Sequence, residues 1–245
     1  LLTCWPPAPE LQTRRNDGLD YLPPQQVFVN DAPLTQIGYI GERYDDTTGV
    51  KRFVYANTGS DMRYVPADYN ADGVSDLSDL VAPGKKNLFY YDTVRKTLYL
   101  RLPDGAQDPV SANVEVAARL RVLFVGDAKY VHVKGLRFRH SNNSSYREQG
   151  DMVDPGDSSL LEDCDVQWGD FGGVKVRRDS IIRNCWIANN GAVGISGSGS
   201  VDPTAAAYAF EIVDNVIHDN NFRLFSPSWH AGGIEVTTNT SGTIR

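Results

Sequence analysis

Twelve residues, DYNADGVSDLSD from Asp68 to Asp79, place oxygen donors at the intervals a calcium loop requires. With Asp68 as position one, Asp68, Asn70, Asp72, Asp76 and Asp79 fall at one, three, five, nine and twelve. Gly73 takes position six, where such a loop turns sharply, and Val74 offers its carbonyl at seven. Four carboxylates and one amide packed this closely repel one another unless a cation sits among them. The reading is therefore a structural Ca²⁺ held by Asp68, Asn70, Asp72, Val74, Asp76 and Asp79, against the alternative of a solvated acidic loop. Ser75 at position eight and Asp79 in place of glutamate depart from the commonest pattern.

A second set of residues is suited to sugar chemistry. Three short segments, GGVKV from Gly172, VGIS from Val193 and GGIEV from Gly232, align so that Val174, Ile195 and Ile234 point inward. Alternation along a strand then sends Lys175, Ser196 and Glu235 outward in one column. Glu235 is the carboxylate of that column. Glycoside hydrolysis needs two carboxyl groups, about 5 Å apart for retention and about 6.5–9.5 Å for inversion. Its partner is expected from a loop acid such as Asp170 or Asp219, or from a further coil. Trp168 and Trp229 can offer flat apolar faces to a pyranose ring, with His230 beside the second; packing of loops onto the body is the competing role. Lys175, Arg177, Arg178 and His230 would instead serve a lyase, which neutralises a uronate and removes its adjacent proton. A non-catalytic carbohydrate-binding or structural role is the third possibility.

The elements that position these residues are repeats. VHVKGLRFRHS from Val131, SLLEDCDVQWG from Ser159, SIIRNCWIANN from Ser180 and EIVDNVIHDN from Glu211 superpose with their apolar residues in register. Val133, Leu161, Ile182 and Ile212 form one column, and Phe138, Val166, Ile187 and Ile217 another. A third, Leu136, Cys164, Cys185 and Asn215, is spaced by 28, 21 and 30 residues. A unit in the low twenties with loop insertions is the mark of a parallel β-solenoid. Asn190 and Asn220 end corresponding strands and are placed to hydrogen-bond along the stack. The insertions at 142–158, 197–209 and 221–231 are expected as loops over the outer face.

Composition sets bounds. The chain has 245 residues and a formal charge of −7, which argues against a nucleic-acid groove. No apolar run reaches the length of a membrane span. Three cysteines make no disulfide framework, and Cys164 with Cys185 read as buried small apolar residues. The chain starts LLTCW without Met or a signal peptide, and Thr243-Ile244-Arg245 reads as the start of another coil. A piece of a longer protein is the expectation.

Residues 1–127 are expected to form a β-rich region carrying the calcium-type loop, and residues 128–245 the solenoid. In the first region VFVNDAPLTQ from Val27 reads as a hairpin turning at Asn30-Asp31. A second hairpin spans NLFYYDTVRKTLYLRLPDG from Asn87. These two stretches, followed by YVHVKGLRFRHS from Tyr130 and WHAGGIEV from Trp229, resemble the secreted bacterial right-handed parallel β-helix proteins that include glycoside hydrolases and related polysaccharide-degrading enzymes. The resemblance implies an all-β, right-handed parallel β-helix behind a hairpin-rich N-terminal region, a secreted or cell-surface setting, and a polysaccharide or oligosaccharide substrate. It implies catalytic carboxylates on outward positions at or after the WHAGGIEV coil, where many relatives carry Lys in place of Glu235. Asp79 followed by Leu80 resembles dockerin-type loops, but those come in pairs and one loop is present, so the reading is a single calcium clip inserted in a β region.

Overall fold

A computed structural model of the chain describes residues 2–4, 24–38, 42–44, 51–53, 69–72, 75–92, 95–102, 112–143, 150–202, 204–223 and 231–245. The chain divides into two compact units. One comprises Leu1–Thr58, Tyr64–Arg119 and Ser144–Tyr146, and the other Gly59–Arg63, Leu120–Asn143 and Arg147–Arg245.

The first unit is built of short, mostly antiparallel strands. Val27–Val29 pairs with Ala32–Pro33 across a two-residue turn, with Asn30 at φ 50° and Asp31 at φ 64°. Two successive left-handed residues match the twist of a tight hairpin, which is why Asn-Asp stands there. Leu88–Asp92 and Thr97–Arg101 form the second hairpin in the expected register, Tyr90 opposite Tyr99. Thr35–Ile37 adds to it in parallel and Leu2–Cys4 antiparallel, giving four strands. Val27, Val29, Phe89, Tyr91, Leu98 and Leu100 pack together as its buried apolar cluster.

The second unit is a right-handed parallel β-helix of three sheets. The first sheet stacks Leu123–Phe124, Asp151–Asp154, Gly172–Lys175, Val193–Ser198 and Gly232–Thr237. The second stacks His132–Lys134, Leu160–Glu162, Ser180–Arg183, Tyr208–Val213 and Thr240–Ile244. Arg137–Arg139, Asp165–Gln167, Trp186–Ala188 and Val216–His218 make the third. Among the described residues of this unit all eleven strand pairs are parallel, and they fall where the column alignment places them: Val133, Leu161, Ile182 and Ile212 are successive partners, as are Phe138, Val166, Ile187 and Ile217. Ile244 extends the first of these columns by one more coil.

Apolar side chains of like size at one height stack through the interior, and Leu161, Val166, Ile182, Ile187 and Ile195 are wholly buried. Each such side chain contributes roughly 1.5–3 kcal/mol by leaving water. Leu136, Cys164, Cys185 and Asn215 do share one column, since the backbone carbonyls of Leu136, Cys164 and Cys185 each accept from the residue after the next member. Cys164 and Cys185 are buried, and Asn215 donates to the Ile182 carbonyl while accepting from the Cys185 amide. Leu136, expected inward like the others, is 51% exposed. It is the first of its column, so it has a stacked neighbour on one side only.

The corners are turned by single left-handed residues. Gly135, Asp163, Asn184 and Asp214 make the bend between the second and third sheets, all near φ 53–69°. His140, Trp168, Asn189 and Asp219 make the bend after the third sheet. Asn and Asp tolerate this conformation through local hydrogen bonds and Gly through its missing Cβ, which accounts for six of these eight positions and leaves His140 and Trp168 as the exceptions. The stacked asparagines sit one residue later: Asn190 Nδ2 and its amide both donate to Asn220 Oδ1 at 2.9 and 3.1 Å, and Asn190 Oδ1 accepts from the Gly169 amide. Gly173 is required beside them, because a Cβ there would lie 2.7 Å from Asn190 Nδ2 and 2.6 Å from the Gly194 carbonyl.

Two expectations change. The insertion at 142–158 is not loop throughout: Asp151–Asp154 is a strand of the first sheet, with Asp151 opposite Gly172 and Val153 opposite Val174. A single helical turn, Leu77–Leu80, forms inside the acidic stretch where only loop was expected; Asp76 caps it and Asp79 completes the capping box. Among the described residues no helix is long and apolar enough to cross a membrane.

Candidate functional site

The first sheet carries the column expected to do chemistry. Lys175 lies opposite Ser196, and Ser196 opposite Glu235, on adjacent parallel strands. Parallel strands are spaced by about 4.8 Å, so the three side chains stand at that interval on one outer face. All three are partly exposed. The same column continues to Asp154 and Phe124 through the strand that sequence reasoning missed.

That strand brings two acids to the site. Asp154 accepts from Arg177 Nε at 2.8 Å and forms an ion pair with the same guanidinium, which raises the Arg177 pKa further above its ordinary value. Asp151 is only 4% exposed. Its Oδ2 accepts from Ser196 Oγ at 2.8 Å, although Ser196 belongs to the strand after the next one. The reach is possible because the strand between places Gly172 opposite Asp151, and a Cβ there would overlap the Asp151 carboxylate. Lys175 Nζ stands 4.0 Å from Asp151 Oδ2 and 3.5 Å from Ser196 Oγ. Burial pushes the Asp151 pKa above the usual carboxylate range, and Lys175 and the Ser196 hydroxyl oppose that shift without cancelling it. A signal for this strand existed in the chain: Asp151, Gly172 and Val193 are spaced by 21 residues twice, the same interval that separates Cys164 from Cys185.

The remaining candidates are distributed as follows. Trp168 is partly buried at the corner after the third sheet, and its ring packs against Phe222 with centroids 5.7 Å apart. Asp170, considered as a partner for Glu235, is fully buried in an ion pair with Arg223. Asp219 is exposed and pairs with His218 Nδ1 at 2.8 Å. Arg178 lies over the Tyr208 ring. Trp229 and His230 lie outside the described residues.

Of the calcium-type loop, Asp68, Gly73 and Val74 lie outside the described residues. The rest is tied together internally. Asp79 is buried and accepts from the amides of Tyr69, Asn70 and Asp76. Asn70 Nδ2 donates to Asp72 Oδ2 and Ser78 Oγ, and Asp76 accepts from the Ser78 amide. Ser75 holds the Gly38 amide through its hydroxyl, which accounts for a hydroxyl in place of an aliphatic residue. Among the described residues no group of three or more His, Cys, Asp or Glu side chains is arranged to hold a metal ion.

Comparison with known proteins adds one likeness. The solved complex of XylC with xylose superposes with a TM-score of 0.56 at 15% sequence identity, covering 89% of this chain and 38% of that one. The likeness shows the fold. The chain therefore spans well under half the length of the protein it matches. No family model matches the sequence, and no curated protein does.

Proposed function

We propose that the protein acts on a carbohydrate polymer or oligomer, by hydrolysis, on the outer face of the first sheet. The observation that carries this reading is the register that stands Lys175, Ser196 and Glu235 side by side on adjacent strands. Such a face offers a hydroxyl, an ammonium and a carboxylate at fixed intervals, the kinds of group that grip sugar hydroxyls and move protons. The substrate class is supported by the structural neighbour having been solved with xylose. Glu235 is the acid or base of the proposal, with Trp229 and His230 bordering the groove and Trp168 at its corner. Action outside the cell goes with a polymeric substrate.

The lyase alternative is less well supported. It requires cations available to a uronate, and here Lys175 stands beside Asp151 while Arg177 is paired with Asp154. Hydrolysis of neutral sugars makes no such demand.

The test is an assay on a panel of neutral and acidic polysaccharides, with xylose-containing oligosaccharides included, beside Glu235→Gln. Reducing ends without unsaturated-uronate absorbance, and at least a hundredfold loss in the variant, are expected. Full turnover by the variant would reduce Glu235 to a surface residue. Unsaturated products would transfer the reading to a lyase.

A structural Ca²⁺ on Asp68, Asn70, Asp72, Val74, Asp76 and Asp79 belongs to the same proposal. It would neutralise the acids around the helical turn at Leu77–Leu80. Calorimetric titration should give Ca²⁺ heat and a higher melting temperature in Ca²⁺ than in chelator, both lost in Asp72→Ala. Identical melting in the two conditions would remove the ion from the account.

A further inference from the structure

Asp151 is a costly residue in its setting. It is buried, its Oδ1 has no hydrogen-bond partner among the described residues, and its neighbour strand must present glycine for it to fit. A buried polar oxygen without a partner destabilises the folded state, and native structures seldom keep one without a use. A packed apolar side chain at the same place would serve the fold better. What the carboxylate does accomplish is local: its second oxygen takes the Ser196 hydroxyl across Gly172 and lies 4.0 Å from Lys175 Nζ. Those two groups are neighbours in the outward column, and Ser196 is the strand neighbour of Glu235.

We propose that Asp151 is a positioning residue of the first-sheet face, which fixes the Ser196 hydroxyl and the Lys175 ammonium where they meet a sugar hydroxyl next to Glu235. This rests on the carbohydrate reading of that face. Ser196 and Lys175 touch the substrate, and Asp151 acts through them from beneath. A hydroxyl held in one rotamer and an ammonium held against a buried acid lose no freedom when the substrate arrives, so the contribution is preorganisation. The charged groups around Asp151 are Lys175 on the next strand, Asp154 on its own and Arg121 ahead of the first, and burial outweighs them in setting its protonation.

The sign of the pH effect follows. A carboxyl whose pKa is raised on folding contributes stability that is present below the unfolded value, about 3.9, and is lost as pH rises through the folded value. Wild type is therefore handicapped at neutral pH relative to Asp151→Asn, which keeps the shape and removes the charge.

The experiment compares wild type, Asp151→Asn, Ser196→Ala and the double variant. Melting curves from pH 4 to pH 8 need no substrate: Asp151→Asn should melt at or above wild type at pH 7.5, with the gap closing toward pH 4. Kinetics on the best carbohydrate should show at least a tenfold loss of kcat in each single variant, KM within threefold, and no further loss in the double. A lower melting temperature for Asp151→Asn at pH 7.5 would make Asp151 a structural ion-pair partner and overturn the proposal. Full kcat in Asp151→Asn would overturn it equally. Wild type inactive on every carbohydrate would sink the reading of the face and the sugar contact with it, while the melting arm still decides whether Asp151 costs stability.

Discussion

Ile187→Ala tests the interior of the solenoid directly. Ile187 is wholly buried, with Val166 on the strand before and Ile217 on the strand after. The substitution removes three carbons, about 2.4 kcal/mol at about 0.8 kcal/mol per carbon. The neighbours sit on hydrogen-bonded strands and cannot close the gap, so a cavity of roughly 50–80 Å³ at about 24 cal/mol per Å³ adds about 1–2 kcal/mol. The expected loss is about 3.5–4.5 kcal/mol, read from urea unfolding followed by far-ultraviolet circular dichroism. Leu136→Ala is the control: its side chain is 51% exposed, so the loss should be about 1 kcal/mol or less. Stacked coils contact only their neighbours, so the Ile187 variant should also broaden the transition as the coils near residue 187 open first. A loss below about 1.5 kcal/mol, or equal losses at the two positions, would refute the reasoning that like residues stacked at one height form a tightly packed ladder.

Two further predictions concern protonation. Glu162 accepts from Lys134, Arg183 and His132 on the outer face of the second sheet, and Lys134 foremost holds its pKa down to about 2. A depressed carboxylate stabilises the fold above its unfolded pKa, about 4.3, and that stability is lost as pH falls toward 2. Glu162→Gln should melt below wild type at pH 7 with the difference vanishing by about pH 2; a difference that persists there would assign the effect to packing. Burial pushes the Cys185 thiol up to about 12, and Cys164 lies buried beside it in the same column. In a Cys4→Ser background neither should react with a thiol reagent at pH 8 until the protein is unfolded, and rapid native labelling would contradict the inward column.

The repeat was legible in the chain because side chains that share a column touch one another, so each coil is under the same demand for size and polarity. Val133, Leu161, Ile182 and Ile212 show this, and so do Asn190 and Asn220. The strand pairing, the direction of Lys175, Ser196 and Glu235, and both hairpins follow from period and turn chemistry alone. The strand at Asp151–Asp154 was not legible in the same way, since its residues are two acids flanking Met-Val within a long insertion. An acid in a solvated loop and an acid buried on a strand are written with the same letter. Only the stacking of Asp151 on Gly172, and of that coil on the strand bearing Ser196, takes the carboxylate out of water and raises its pKa. Asp170 likewise looked like a loop acid and is instead buried against Arg223, a residue 53 positions later in the numbering. Local periodicity determines which residues face inward because it depends on neighbours in sequence. Desolvation and ion pairing depend on neighbours in space, and those are decided when the coils stack.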